Sequence, residues 1–329
     1  MNFYFREVRG FVRAAILAVS AILLPSLASA ETLEGGTIRI VVPYAPGAAT
    51  DNLARLLAQG LEQKLKATVV IDNRAGGGTQ IGTRAVATAK PDGRTLGFID
   101  TAFAINPGLV GAALPYDTEK DFTPISLMAT AQLVLVVNPA VKAQNIAELV
   151  KLAKAEPGKV GYATTGVGSA PHLAGQQFKE ATGANIVHVP FNSGGFLTNV
   201  VGGHVPVAFP VVASARDFIE SGSLRALAVT GSERARLLPN VPTMKEAGFP
   251  AIDATPFFGL IAPKGLPPEI LAQLSEAASG ALKEGAIRDK VVQTGFNPVG
   301  SNSTDFKPWL EKEIAKWAGV IERSGERPK

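Results

Sequence analysis

Three segments rich in glycine, serine and threonine, residues 43–51, 76–82 and 164–172, each join a short apolar run to a helical pattern. At such a junction the first N–H groups of the helix lack carbonyl partners and the helix dipole adds positive potential, which suits a small anion. In the first loop Pro43 and Pro46 stiffen the chain, while Gly47, Ala48 and Ala49 leave room for backbone to approach a ligand beside Tyr44, and Thr50 or Asp51 can cap the helix. The second loop offers Gly76, Gly77, Gly78, Thr79, Gln80, Ile81 and Gly82. The third adds the hydroxyls of Thr164, Thr165 and Ser169 to Gly166, Val167, Gly168 and His172. Thr101 and Phe103 follow one strand end, Phe191, Asn192 and Ser193 another, and all five are expected to line a cleft; Asp100 can order loop N–H groups or hold a cation.

The catalytic alternatives are weaker. Ser169 with His172 invites a hydrolase reading, which stays open, but no GxSxG elbow is present, and their spacing of three at a helix start gives a cap. Gly76, Gly78 and Gly82 spell GxGxxxG, off the dinucleotide spacing and in the second strand–helix unit, not the first. His172, His188 and His204 stand sixteen residues apart, unlike zinc ligands, and the absence of Cys removes thiolate metal sites, disulfides and thiol nucleophiles. The expectation is therefore a binding protein without catalysis, cofactor or metal.

The chain has 329 residues and a net charge of +4. Residues 1–30 read as a signal peptide: Arg6, Arg9 and Arg13, an apolar run over 14–24, then Ala28-Ser29-Ala30 as a cleavage site, with cleavage expected after Ala30 and export to the periplasm. The 299 residues that follow carry a net charge of +2, too balanced and too free of basic runs to suggest nucleic acid.

Strands and helices alternate. Strands are expected at 38–42, 69–72 and 96–99 with helices at 51–65 and 81–89, a βαβαβ pattern implying a parallel sheet. A second cycle follows: strands at 133–137, 160–163, 186–189, 205–209 and 224–229, with helices at 146–155, 173–182 and 196–201. A last strand at 258–262 and helices at 268–283 and 306–321 are expected to pack back on the first module. The expected class is α/β, two modules with facing loops, each a mainly parallel sheet flanked by helices.

The ordered stretches VVPYAPGAATDNLARLLA (41–58), NRAGGGTQIGTRAVATAKPDGRTL (73–96), AINPGL (104–109), LPYDTEKDFTPISLMAT (114–130), YATTGVGSAPHLAGQQFK (162–179) and LPNVPTMKEAGF (238–249) resemble the Bug-type periplasmic solute-binding proteins of tripartite tricarboxylate transporters. The resemblance implies a two-domain Venus-flytrap fold, type II-like, with residues 31–135 plus 256–329 as domain 1 and 136–255 as domain 2. It implies a small organic carboxylate gripped by first-domain loops, specificity set by the facing loops at 164–172 and 191–194, and a monomer that delivers to membrane permease subunits. Presentation of the ligand to a sensor kinase is an open alternative. The chain departs from the family pattern at Ala48, Gln80 and Phe103, and at Pro210, where members carry an Asp. Losing that acid removes a partner for an ammonium, so an apolar or aromatic mono- or dicarboxylate is expected.

Overall fold

The computed structural model describes residues 32–191, 195–283 and 285–325. The proposed signal peptide and cleavage site, and Asn192 and Ser193, lie outside the described residues.

The first sheet opens with β1 (Thr37–Val42), α1 (Ala49–Leu65), β2 (Thr68–Asn73), α2 (Gln80–Ala87), β3 (Thr95–Asp100), α3 (Thr101–Val110) and β4 (Phe122–Thr130). The chain then crosses into β5 (Val134–Val137), α4 (Ile146–Ala155), β6 (Val160–Thr164), α5 (Ala170–Thr182), β7 (Ile186–Pro190), α6 (Phe196–Val201), β8 (Val207–Ala208), α7 (Val212–Glu220) and β9 (Arg225–Val229). It returns through β10 (Phe257–Pro263), α8 (Pro268–Lys283), α9 (Ala286–Gln293), β11 (Asn297–Pro298) and α10 (Ser303–Ser324).

The sheets have orders β11-β4-β10-β3-β1-β2 and β7-β6-β8-β5-β9. In each, three neighbouring strands pair in parallel, β2-β1-β3 and β7-β6-β8, as expected of strand–helix–strand units. The expectation of mainly parallel sheets needs correction in both: each sheet is mixed, and in the first the edge strand β11 also pairs antiparallel with β4. The strand that enters from the other half of the chain runs antiparallel to both neighbours: β10 between β3 and β4, β5 between β8 and β9. A chain that leaves a sheet and comes back later arrives from the opposite end.

Local sequence explains the elements that place the loops. Leu53, Leu57 and Leu61 put a buried stripe on α1. Ser169 caps α5 by accepting the His172 N–H at 3.3 Å, and Gly183 ends that helix in the left-handed conformation at φ 65°. Asn302 caps α10 by accepting from the Asp305 N–H at 2.7 Å. As expected, the C-terminal helices pack on the first sheet's unit: the Phe306 ring lies where a Cβ on Gly259 of β10 would stand, and Ile321 and Ala318 crowd Gly108 of α3.

Two connections cross between the sheets, residues 131–133 and 230–256, and they are tied together. Ala131 N–H donates to the Pro256 carbonyl at 2.8 Å, and Leu133 N–H donates to the buried Thr230 hydroxyl at 2.9 Å. The Gln132 side chain donates to the Thr230 carbonyl at 2.9 Å. On another face Arg323 of α10 is paired with Glu180 of α5. Among the described residues no helix is long and apolar enough to cross a membrane.

Candidate functional site

Helix α3 is where the three loops meet, and sequence reasoning missed it. Asp100 caps it, accepting the Ala102 N–H at 3.0 Å on one carboxylate oxygen and the Tyr44 hydroxyl of the first loop at 2.5 Å on the other. Asn106, six residues further, donates to the Gly78 carbonyl at 3.0 Å and to the Thr79 hydroxyl at 3.2 Å, fixing the second loop. Gly168 of the third loop sits so close that a Cβ there would lie 2.8 Å from Leu109 and 3.9 Å from Ile105. Loops from both sheets therefore gather on one ten-residue helix.

The second loop has the most unusual backbone. Gly76, Gly77, Gly78 and Thr79 all have positive φ, at 126°, 58°, 59° and 76°. Three glycines adopt this freely; a β-branched threonine does not, and such strain costs on the order of 1–3 kcal/mol. Thr79 is held there by burial and by Asn106. The amides of Gly76 to Thr79 donate to no protein acceptor among the described residues, and they precede the first turn of α2.

The first loop is braced by Asp51, which is 1 % exposed. Its two oxygens accept from Gly47 N–H and Arg55 at 2.9 Å each and from Asn73 at 2.8 Å. Burial alone would raise its pKa; the hydrogen bonds from Arg55, Asn73 and Gly47 outweigh that and hold the carboxyl below its usual value. Because α1 begins at Ala49, neither Thr50 nor Asp51 is its cap; Asp51 reaches back from the first turn to the residue before the cap. Both are buried, so they shape the loop from behind, while Tyr44 and Ala48 are half-buried and Ala49 is exposed.

The third loop differs from the expectation that every loop offers free amides. Gly166 N–H donates to the Thr164 hydroxyl at 3.1 Å, Gly168 N–H to His172 Nδ1 at 3.3 Å, and Ser169 N–H to the Gly166 carbonyl at 3.4 Å. Its inward side chains, Thr164 and His172, thus take two of its own donors. Thr164 and His172 are fully buried, whereas Thr165 and Val167 are exposed and Ser169 is half-buried. Ser169 Oγ donates to the Gly166 carbonyl at 2.7 Å while accepting the His172 amide, the cap that the spacing suggested. The His172 ring instead stacks on His188, centroids 4.1 Å apart.

Burial, and secondarily Lys179, lower the His172 pKa from its usual 6.5 to about 4. The unfolded chain therefore binds a proton that the folded chain refuses as pH falls from 6.5 towards 4, and stability drops across that window. The full loss at this buried site is roughly 3 kcal/mol. The melting temperature is expected to fall over that pH range, and His172→Asn, whose oxygen can replace Nδ1 as acceptor, is expected to flatten the fall.

Other expected wall residues are placed in the core. Phe103 is 1 % exposed, with its ring 5.2 Å from Phe122 and 6.4 Å from Tyr116. It lies on the packed face of α3, not in a cleft. Thr101 is buried and accepts the Phe257 N–H at 3.1 Å. Pro210 is buried, its carbonyl taken by Val134 N–H at 2.8 Å in the crossing region. Gln80 and Phe191 remain half-buried and Ile81 is 58 % exposed. A separate small cavity, lined by Gln132, Val212, Arg236 and Phe296 among others, lies at the crossings and away from these loops.

The comparisons with known proteins agree with this architecture. Residues 53–325 match the family described as the tripartite tricarboxylate transporter family receptor. Protein BugT of Bordetella pertussis is 36 % identical over 95 % of this chain and 96 % of its own length. A solved periplasmic transporter is similar at TM-score 0.80 and 35 % identity, covering 89 % of this chain and 98 % of that one. The R. palustris protein Rpa4515, solved with adipate, is similar at TM-score 0.80 and 31 % identity, covering 88 % and 98 %. A mixed α/β fold of two sheets with crossing strands, loops gathered on α3, and a family match over most of the length lead to one conclusion: the chain belongs to the tripartite tricarboxylate transporter receptor family of periplasmic solute-binding proteins.

Proposed function

We propose that this protein holds a small organic carboxylate between the loops of its two sheets, leaves it chemically unchanged, and delivers it to its transporter's permease subunits. The reading rests chiefly on the second loop. Four successive amides without protein acceptors, held in a conformation costly for Thr79, are donors in search of an anion. Neither Lys nor Arg occurs in residues 43–51, 76–82 or 164–172, so neutral donors do the binding. Each charge-assisted hydrogen bond contributes roughly 1.5–3 kcal/mol when water is excluded, and a micromolar complex needs about 8 kcal/mol. Three to five such bonds suffice if the two sheet units, residues 31–135 plus 256–329 and 136–255, close on the solute.

The solute's body is apolar or aromatic in this reading. Ile81 on the second loop and Val167 on the third are each 58 % exposed and offer apolar surface beside the donor amides. The bound adipate of Rpa4515, two carboxylates on a methylene chain, fits the same chemistry. Isothermal titration against adipate, phenylpropanoate, aspartate and glutamate tests it. Micromolar binding of the apolar acids and recovery of unaltered ligand are expected; tight binding of aspartate or glutamate alone overturns the apolar assignment.

A further inference from the structure

The peptide between Gly78 and Thr79 is gripped from one side. Asn106 of α3 is 3 % exposed, and its side-chain nitrogen reaches the Gly78 carbonyl at 3.0 Å, the Thr79 hydroxyl at 3.2 Å and the Tyr116 hydroxyl at 3.3 Å. Tyr116 is itself held by ring contacts to Phe122, centroids 5.6 Å apart, and to Phe103. Beyond that peptide the Thr79 carbonyl accepts the Thr83 N–H at 3.1 Å and the Thr83 hydroxyl at 3.0 Å. Thr79, Thr83, Asn106 and Tyr116 are all buried, so water is a poor substitute for these bonds.

A trans peptide is planar, and its C=O and N–H point in opposite directions. With the Gly78 carbonyl drawn to Asn106, the Thr79 N–H is aimed away from Asn106, and it meets no protein acceptor among the described residues. Turning that one peptide plane over would take φ of Thr79 from 76° to about −100°, a region open to any L-residue. It would also break the Asn106 bond to the Gly78 carbonyl and point the Thr79 N–H inward. Strain in Thr79 favours the flip, and Asn106 opposes it.

We propose that Asn106 is a positioning residue for carboxylate binding: it holds the Gly78 carbonyl, keeps Thr79 left-handed, and so keeps the Thr79 amide turned out as a donor before any solute arrives. The inference rests on the carboxylate reading above and names the residue that presets its donor loop. A donor already in place spares the ligand the work of turning the peptide. In a loop free to flip, apparent affinity falls by the fraction of molecules that keep the donor turned out. Threonine is what makes the hold necessary, because glycine stands at φ 76° without strain.

The test is titration calorimetry of the full mature protein with adipate and phenylpropanoate. Asn106→Ala, and Asn106→Leu, which fills the space without a donor, are each expected to weaken the better-binding acid ten-fold or more. Thr79→Gly alone is expected to stay within three-fold of the unaltered protein. Added to either Asn106 variant, Thr79→Gly is expected to restore affinity to within three-fold, since a glycine has no strain to relieve by flipping; a general loosening of α3 would not be undone by a change at residue 79. In protein carrying isotope-labelled threonine, the bound acid is expected to shift the Thr79 amide resonance, and Asn106→Ala to move that resonance without any acid. Unchanged affinity in a folded Asn106 variant overturns the proposal, as does a loss that Thr79→Gly does not rescue. If the unaltered protein binds neither acid, or binds one with the Thr79 resonance unmoved, the carboxylate reading of the second loop has failed and the proposal falls with it.

Discussion

Trp317→Ala is expected to destabilise the folded protein by about 3–5 kcal/mol, the usual range for removing a large buried aromatic. Trp317 is fully buried in α10, with its indole N–H donating to Glu313 at 3.1 Å and Lys316 lying over the ring 4.8 Å from its centre. The residues one and four positions further along α10, Ala318 and Ile321, press on Gly108 of α3 so closely that a Cβ there would be 3.3 Å and 2.9 Å away. A cavity at Trp317 therefore loosens the surface against which α3 rests. Denaturation by urea should show the midpoint shift, and calorimetric titration should show carboxylate affinity falling as well, because the same helix anchors Tyr44 through Asp100 and Gly78 through Asn106. A melting temperature lowered by less than a few degrees would show that the C-terminal helix is an accessory to the first sheet rather than part of its core.

Gly82→Ala is the second change with a large expected effect, and it acts on both stability and binding. Gly82 is buried in the first turn of α2, where a Cβ would stand 2.8 Å from the Arg74 carbonyl oxygen, 2.9 Å from Pro43 Cβ and 3.0 Å from Pro43 Cα. Backbone and a proline ring cannot rotate aside, so the methyl pushes α2 away from the end of β1. Overpacking of this kind costs roughly 1–3 kcal/mol. The displacement also moves the amides of Gly76 to Thr79 relative to the first loop, and misplacing charge-assisted donors sacrifices roughly 1.5–3 kcal/mol for each bond lost. Affinity for the best-binding carboxylate is expected to fall at least ten-fold. Retention of full affinity would mean that the second loop does not touch the solute.

Much of the fold was legible because the strands of parallel units are continuous apolar runs and their helices carry apolar stripes. The run at 38–42 and the stripe of Leu53, Leu57 and Leu61 lie where expected. Helix α3 escaped for a physical reason: it is apolar on nearly every side, with Pro107 and Gly108 inside it, so neither periodicity nor propensity marks it as a helix. Strand β4 went unread over 122–130 with Pro124 within it. In the candidate site the glycine loops were readable from composition, and Ser169 as a cap from its spacing to His172. The division of labour between loops was not readable. Sequence cannot tell that His172 turns inward to take the Gly168 amide, or that Asp51 spends both its oxygens on protein, because each depends on partners brought in by the fold. Phe103 failed as a wall residue because Tyr116 and Phe122, thirteen and nineteen positions away, enclose it.

The position of β10 has a consequence for the life of the chain before it reaches its working compartment. The strand between β3 and β4 is supplied by residues 257–263, after the whole second sheet has been made. Until that stretch emerges from the ribosome, the amino-terminal half has a gap in the middle of its sheet, flanked by two rows of unsatisfied peptide groups. Such long-range pairing is slow to form. The first sheet therefore waits for residues 257–263, and their insertion between β3 and β4 is the keystone that completes it.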